Sequence, residues 1–378
     1  MRLKILSFIK NPFYGQNKMK IGIDATLLTK EKITGVESCL RNIILSLSKI
    51  DFKNTYYLFT PNDFYNFPEL PKNFLTIKSG YIKFWRQIKL PFLISKYRPD
   101  VFYSVGDIIP HFVQVPIVGH FHDMAWFLYP KAYSKNDQKK QRFALLTLRK
   151  KAKIIITSSE SSKVDLIKNF NVSEKQIRVI PLGYNPDIKK YTINQSKKQG
   201  IVYIGRMESK KNLINLLKAY EIYASSSPNP EKLNLIGGRG FGFPEIENLL
   251  DRLKNSGLDI KYHGYLEDKE AYKILGHSKV MLYPTLYEGF GLPILEAFAT
   301  KTAVISSNRS SIPEIAREAA ILVDPEKPVA IAAALKQLLV ADRLRLELVE
   351  RGNKIVEHYS WEKMTKKILE VLSDAVKR

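Results

Sequence analysis

Glu288 and Glu296 stand eight positions apart in the stretch Pro284-Thr-Leu-Tyr-Glu288-Gly-Phe-Gly-Leu-Pro293-Ile-Leu-Glu296-Ala, with Gly289 and Gly291 between them. An ionised carboxylate accepts two hydrogen bonds side by side, which suits the paired hydroxyls of a ribose or a hexose. The glycines let the backbone approach a ligand closely. If a helix opens here, the amides of Phe290, Gly291 and Leu292 point out along the positive end of its dipole and form an anion site. A proline is tolerated in a first helical turn, where its missing N–H would be unpaired, and Pro293 is placed for that role. A glycine turn with two solvated glutamates would use the same residue types, so the reading depends on what else the chain supplies.

The apolar run Ile201–Ile204 is followed by Gly205-Arg206-Met-Glu-Ser-Lys-Lys211-Asn212. Arg206, with its planar fork, and Lys211, as a point charge, can close on a diphosphate. A plain basic helix start is the alternative, and it is the less comfortable one because cations there oppose the dipole. In Val118-Gly-His120-Phe-His122-Asp123, a strand end puts His122 where it can hydrogen-bond a sugar, although a lone histidine is more often structural. His263-Gly264-Tyr265-Leu266 offers either backbone contacts to a base or an ordinary turn. Leu235-Ile-Gly237-Gly-Arg-Gly-Phe-Gly242 misses the dinucleotide fingerprint, since its third glycine falls one place early and no acid ends the next strand. The sequence has no Asp-x-Asp pair, Cys/His cluster or His-Glu-x-x-His, so no bound divalent metal or other cofactor is indicated.

Two alternations of strand and helix position these residues. The first has strands at 20–24, 56–59, 101–104, 116–120, 154–157 and 176–180, a loop through Thr34-Gly35-Val36-Glu37, and helices over 38–49, 85–97, 136–150 and 160–169. The stretch Pro181 to Pro186 and the polar residues as far as Gly200 read as a hinge or linker. The second has strands at 201–204, 233–236, 260–263, 280–283, 303–306 and 321–323, and closes with helices over 328–340, 343–357 and 361–376. Such alternation predicts two doubly wound α/β domains whose facing strand ends border a cleft.

The 378 residues suffice for two domains with real cores. A single cysteine, Cys39, leaves no intrachain disulfide and fits a reducing compartment. Residues 1–18 read as a possible extension, too short in apolar residues for a signal peptide. No run of about 18 uncharged apolar residues marks a membrane span. The formal net charge is +23, divided as +18 over residues 1–190 and +5 over the rest. That asymmetry points the first half at an anionic partner. Tyr81 to Arg98 interleaves aromatics with five basic residues and no acid, and Lys131 to Lys153 holds nine basic residues against Asp137. A basic and aromatic helical face is what an interfacial helix uses, so docking on an anionic membrane surface is expected.

Taken together, Glu288-Gly-Phe-Gly-Leu-Pro with Glu296, Gly205-Arg206 with Lys211, Thr34-Gly35-Val36, the His122-Asp123 strand end, Ser158 to Ser162 and the late helix at Ser360-Trp361 resemble the retaining glycosyltransferases of family 4, which have the GT-B fold. The resemblance runs from about Lys20 to the C-terminus. Departures are Lys210-Lys211-Asn212, where a Lys-Gly pair is common, and Glu37, where a small or polar residue often stands.

The resemblance implies two facing Rossmann-like domains, an acceptor domain (1–185) and a nucleotide-sugar domain (186–358), with a last helix (359–378) packing back on the first. It also implies roles: Arg206, Lys211 and the amides after Gly289 for the departing diphosphate, Glu296 for the ribose, Glu288 and His122 for the transferred sugar, Gly35 for the phosphates, and Gly264, Tyr265 and Leu266 for the base. A GDP- or UDP-sugar is then the donor, while the basic, aromatic segments of the first half make a lipid-linked or cell-envelope glycan the expected acceptor and the cytoplasmic face of the membrane the expected workplace. A sugar-nucleotide epimerase of the same fold is the alternative within the class. A basic nucleic-acid-binding protein is the alternative outside it, and it lacks a recognition helix or stacking platform.

Overall fold

A computed structural model describes residues 18–31, 35–106 and 108–377. The first sheet is wholly parallel. Its strands are β1 (Lys20–Asp24), β2 (Thr55–Thr60), β3 (Phe74–Lys78), β4 (Val101–Ser104), β5 (Ile117–Phe121), β6 (Ile154–Thr157) and β7 (Ile177–Val179), in the order β3-β2-β1-β4-β5-β6-β7. Its helices are α1 (Gly35–Ile50), α2 (Lys89–Tyr97), the short α3 (Ala125–Leu128), α4 (Lys135–Lys151) and α5 (Glu160–Phe170). β4, β5 and β6 are buried at every residue, as expected of central parallel strands covered on both faces.

The second sheet is also parallel. It contains β8 (Ile201–Ile204), β9 (Leu233–Ile236), β10 (Ile260–Tyr262), β11 (Val280–Tyr283), β12 (Ala303–Ser307) and β13 (Ala320–Val323), ordered β10-β9-β8-β11-β12-β13. Helices α6 (Leu213–Ser225), α7 (Phe243–Asn255), α8 (Asp268–His277), α9 (Leu292–Ala299), α10 (Ile312–Ala316), α11 (Pro328–Val340) and α12 (Asp342–Val356) complete the unit. In both sheets the strand order reverses once, between β1 and β4 and between β8 and β11. Chains leaving such a pair diverge and open a crevice beyond the carboxyl ends. The crevice at β8 and β11 therefore receives the loops carrying Arg206 and Glu288.

The last helix, α13 (Trp361–Lys377), returns to the first sheet and packs on α1, β4 and β5. It buries Met364, Ile368, Leu372 and Ala375 on one stripe, the spacing of an amphipathic helix. Ser46 of α1 and Thr365 share a buried hydrogen bond of 2.8 Å. The outgoing chain at Gly183 lies directly against the returning backbone of Ser360 and Trp361.

The structure corrects four expectations. β3 is missing from the sequence reading because only Phe74 in it is buried and the rest of this edge strand is exposed or, at Ile77, half-buried. Residues 35–37 are the first turn of α1 rather than a loop. Glu37 is buried there and takes Lys30 Nζ at 2.5 Å, and a carboxylate in a first turn favours the helix. The helix expected from residue 85 begins at Lys89 after a series of turns. The linker is not free either, since Pro186–Tyr191 forms a 3-10 turn that buries Ile188 and packs on α8 and α9.

Candidate active site

The Arg206 turn leaves β8 with Gly205 N–H donating to Ile236 O at 3.0 Å and Tyr203 OH donating to Arg206 O at 2.9 Å. The guanidinium is exposed, and its nearest acid is Glu208 at 3.9 Å. The glycine loop after β9 braces this turn: Gly240 N–H donates to Met207 O and Ser209 N–H to Phe241 O, each at 2.9 Å. The residues that fail as a dinucleotide fingerprint thus hold the Arg206 turn in shape.

Lys211 ends a 3-10 turn, Ser209–Lys211, and α6 starts only at Leu213. Asn212 between them is left-handed at φ 62°, a conformation open to asparagine and glycine. Its Nδ2 donates to Pro284 O at 2.9 Å and Pro325 O at 2.6 Å. That ties the Lys211 turn to the loop after β11 and gives a reason for Asn where a glycine is common.

Lys211 Nζ reaches Glu288 Oε1 at 2.6 Å and Tyr283 OH at 3.0 Å. The same carboxylate oxygen also accepts from Tyr283 OH and Thr285 Oγ1, each at 2.9 Å. Burial pushes the Glu288 carboxyl up, but Lys211, Lys210 and the hydrogen bonds outweigh it and hold the group below its usual value. Among the described residues Oε2 has no bonding partner, so it remains available to a hydroxyl.

The loop then turns into α9 at Gly291, φ 109°, a backbone that side chains other than glycine rarely adopt. Ser311 Oγ donates to the Phe290 and Glu288 carbonyls at 2.7 and 3.0 Å. Among the described residues the amides of Phe290, Gly291 and Leu292 meet no acceptor. The Phe290 side chain is buried, edge-on to Tyr359 at 5.9 Å, and Leu292 packs inward. Both side chains are thus turned into the protein, and their amides are left without an acceptor among the described residues.

Glu296 has separate company. Tyr272 OH of α8 donates to it at 3.0 Å. Burial first, and the nearby Asp268 second, push its carboxyl up to about 7 against the opposing pull of that hydrogen bond. The two glutamates thus share no partner: Glu288 faces the lysines, Glu296 faces α8.

From the first domain, His122 Nε2 donates to Val105 O at 2.6 Å. A carbonyl can only accept, so this bond fixes the tautomer and leaves Nδ1 of the neutral ring as the acceptor. The ring stacks on buried His120 at 4.6 Å. A side chain at Gly289 would collide with His122 O, at 2.0 Å from its Cβ. The absence of one is what lets the two domains meet. Ser159 Oγ donates to Gly289 O at 2.7 Å, which gives the Ser158 to Ser162 run a bridging place.

Among the described residues, Gly35, Gly264, Tyr265 and Leu266 make no bond to Lys211, Glu288 or His122. Gly35 begins α1 with nothing within 4 Å of its missing side chain, and Thr34 lies outside the described residues. Gly264, at φ 70°, accepts from Gly237 N–H at 2.8 Å. Tyr265 is exposed beside it, and Leu266 lines a shallow polar cavity of about 460 Å³ with His263 and Asn234. These three lie at the β9–β10 edge. Sequence reasoning gave no role to Lys210, Asp123, Tyr283, Thr285 or Tyr272. The only sign of Lys210 was the doubled lysine, and tyrosines that orient an acid leave no spacing signal.

Residues 33–188 match the family model for glycosyltransferase family 4, and residues 185–355 match that for glycosyl transferases, group 1. O-antigen chain mannosyltransferase B of Escherichia coli is 30% identical over 285 residues, covering 72% of this chain and 74% of that protein. The fold superposes on sucrose-phosphate synthase from Thermosynechococcus elongatus with a TM-score of 0.72 at 19% identity, covering 94% and 98% of the two chains. It also superposes on Anabaena HepE, solved in complex with UDP-glucose, with a TM-score of 0.72 at 18% identity over 94% and 100%. The chain belongs to the group 1 glycosyltransferases of the family 4 type, and it is an enzyme of the GT-B fold.

Proposed function

We propose that the enzyme moves a hexose from a nucleoside diphosphate sugar to a lipid-linked or cell-envelope glycan, with retention at the anomeric carbon and without a metal. The observation that carries this is the meeting, at one strand-order reversal, of Lys211 on Glu288 with the unbonded amides of α9. The C1–O bond to the phosphate breaks as C1–O to the acceptor forms on the same face, and the acceptor proton passes to the departing phosphate oxygen. Charge growing on that oxygen is met by preorganised donors, the role of the Lys211 ammonium, the Arg206 guanidinium and the α9 amides. Glu288 Oε2 and His122 Nδ1 accept hexose hydroxyls, Glu296 takes the ribose pair, and the Gly264–Leu266 edge borders the base.

Mannose is favoured as the hexose by the name of the Escherichia coli relative. The transfer assay uses GDP-mannose, with UDP-hexoses beside it, and an isoprenyl-diphosphate glycan acceptor. An axial donor should give an axial product linkage by NMR, unchanged by EDTA. An inverted product, or activity lost to EDTA and restored by magnesium, would contradict the proposal.

The acceptor class rests on the first domain's surface. α2 and α4 are crossovers on the same face of the sheet, and large rings stand exposed on and beside them: Phe92 of α2, Phe143 of α4 and Phe84 before α2 are each more than 60% exposed, and Phe112 between β4 and β5 is 82% exposed. Lys83 and Lys89 lie over the Phe84 and Phe92 rings. No described helix is long and apolar enough to cross a membrane, whereas rings flanked by cations suit the headgroup layer, each cation adding roughly 1 kcal/mol near an anionic surface. In vesicle sedimentation, binding should require anionic lipid, weaken with salt, and fall in a Phe112→Ser, Lys139→Glu, Lys140→Glu variant. Equal partitioning onto neutral vesicles would show that the face has another purpose.

A further inference from the structure

Lys210 points away from its neighbour Lys211 and across the domain boundary. Its Nζ lies 3.3 Å from Asp123 Oδ2, the residue after His122 on the first domain. Glu208 stands at 3.9 Å and the Tyr133 ring, also first-domain, at 6.0 Å. Both partners of the Lys210–Asp123 pair are largely withdrawn from water, with side chains 14% and 23% exposed. The pair is anchored on both sides. Lys210 O accepts from Leu286 N–H at 3.0 Å, on the loop that carries Glu288, with the Thr285 hydroxyl oxygen 3.2 Å away. Asp123 Oδ1 accepts from Ala125 N–H at 3.0 Å.

We propose that Lys210 and Asp123 form a positioning pair that draws His122 onto the Glu288 loop and so completes the sugar site in the closed enzyme. Neither residue needs to touch the donor. A charge pair shielded from water is costly to break one-sidedly, since the remaining charge loses its partner. In a two-domain enzyme that cost is relieved by opening, which rehydrates the orphan, so the loss falls on closure rather than on folding. The pair sits where closure matters, because Gly289 meets His122 O at the same contact. Lys210 also answers for two further acids. Burial disfavours its ammonium, but Asp123, Tyr133, Glu288 and Glu208 together favour the charged form strongly.

The inference rests on the donor site proposed above, and the test separates the two. Lys210→Met keeps the stem and Asp123→Asn keeps the bond to Ala125 N–H, so both variants should fold. In the ligand-free protein each should enlarge the radius of gyration by X-ray scattering and speed amide exchange at the start of α5. The double variant should do no more than either single one, and Lys210→Arg should behave as wild type. These readings do not depend on any donor. With donor, kcat should fall roughly 5–150-fold, the usual span of coupling between two sites, while donor Kd stays within about threefold. If Lys210 were instead a diphosphate ligand, Lys210→Met would weaken donor binding and Asp123→Asn, by freeing the ammonium, would tighten it. That pattern, or additive effects in the double variant, or unchanged scattering and exchange, overturns the proposal.

Discussion

Glu288 and Glu296 are the same residue type driven in opposite directions by their neighbours. Two lysines hold the first below its ordinary value, and burial beside Asp268 holds the second at about 7. The sign of the Glu296 effect follows from its raised value: the fold favours the protonated acid, so its contribution to stability is full below the unfolded value and is lost as pH rises through 7. Glu296→Gln, which stays neutral, should lose on the order of 1–3 kcal/mol less stability than wild type between pH 5 and 8 in denaturant titrations. Ribose hydroxyls donate to the ionised form, so donor affinity should fall about tenfold per unit below pH 7 in calorimetry and stay flat in Glu296→Gln. A pH-independent wild type would remove Glu296 from the ribose.

At the scale of elements, strands with continuous apolar runs were legible in the sequence: β4, β6, β8, β9 and β11 begin and end where their residues predict. The motif after β11 announced its helix through Pro293, and Arg206 and Lys211 stand, as their place after β8 implied, at the end of that strand. What the sequence did not show depends on neighbours distant in the chain. β3 is a polar edge strand stabilised by pairing with β2, and Lys210 gains meaning only when the first domain places Asp123 beside it. Lys198 is a further case, buried with Nζ donating to Thr300 O at 2.9 Å and Thr302 Oγ1 at 3.0 Å, between α9 and β12.

Burial, with Lys301 adding repulsion, lowers the Lys198 ammonium to about 7. The native state therefore sheds a proton that the unfolded chain keeps until about pH 10.4. Stability from this site rises with pH between those values and is lost as pH falls through 7. Lys198→Met should remove that slope in thermal melts from pH 7 to 10. An unchanged slope would mean that the ammonium stays charged in the fold.

On the scale of the whole molecule, the domains meet through bonds from α5 to the Glu288 loop and to α10. Tyr287 OH donates to Asp165 at 2.6 Å, Ser159 to Gly289 O at 2.7 Å, and the amides of Glu160 and Ser161 to Glu314 at 3.0 to 3.4 Å. α5 of the first domain thus grips the Glu288 loop and α10, while α13 crosses back onto the first sheet. The central claim is that a nucleoside diphosphate hexose binds on Lys211 and the α9 amides. A calorimetric titration of GDP- and UDP-hexoses into the wild type and into Lys211→Ala tests it most directly. The account predicts that one donor binds the wild type and that the folded variant binds it on the order of a hundredfold more weakly, having lost a charge-assisted contact to phosphate. Equal affinity in the two proteins, or no binding of any of these donors to the wild type, would contradict it.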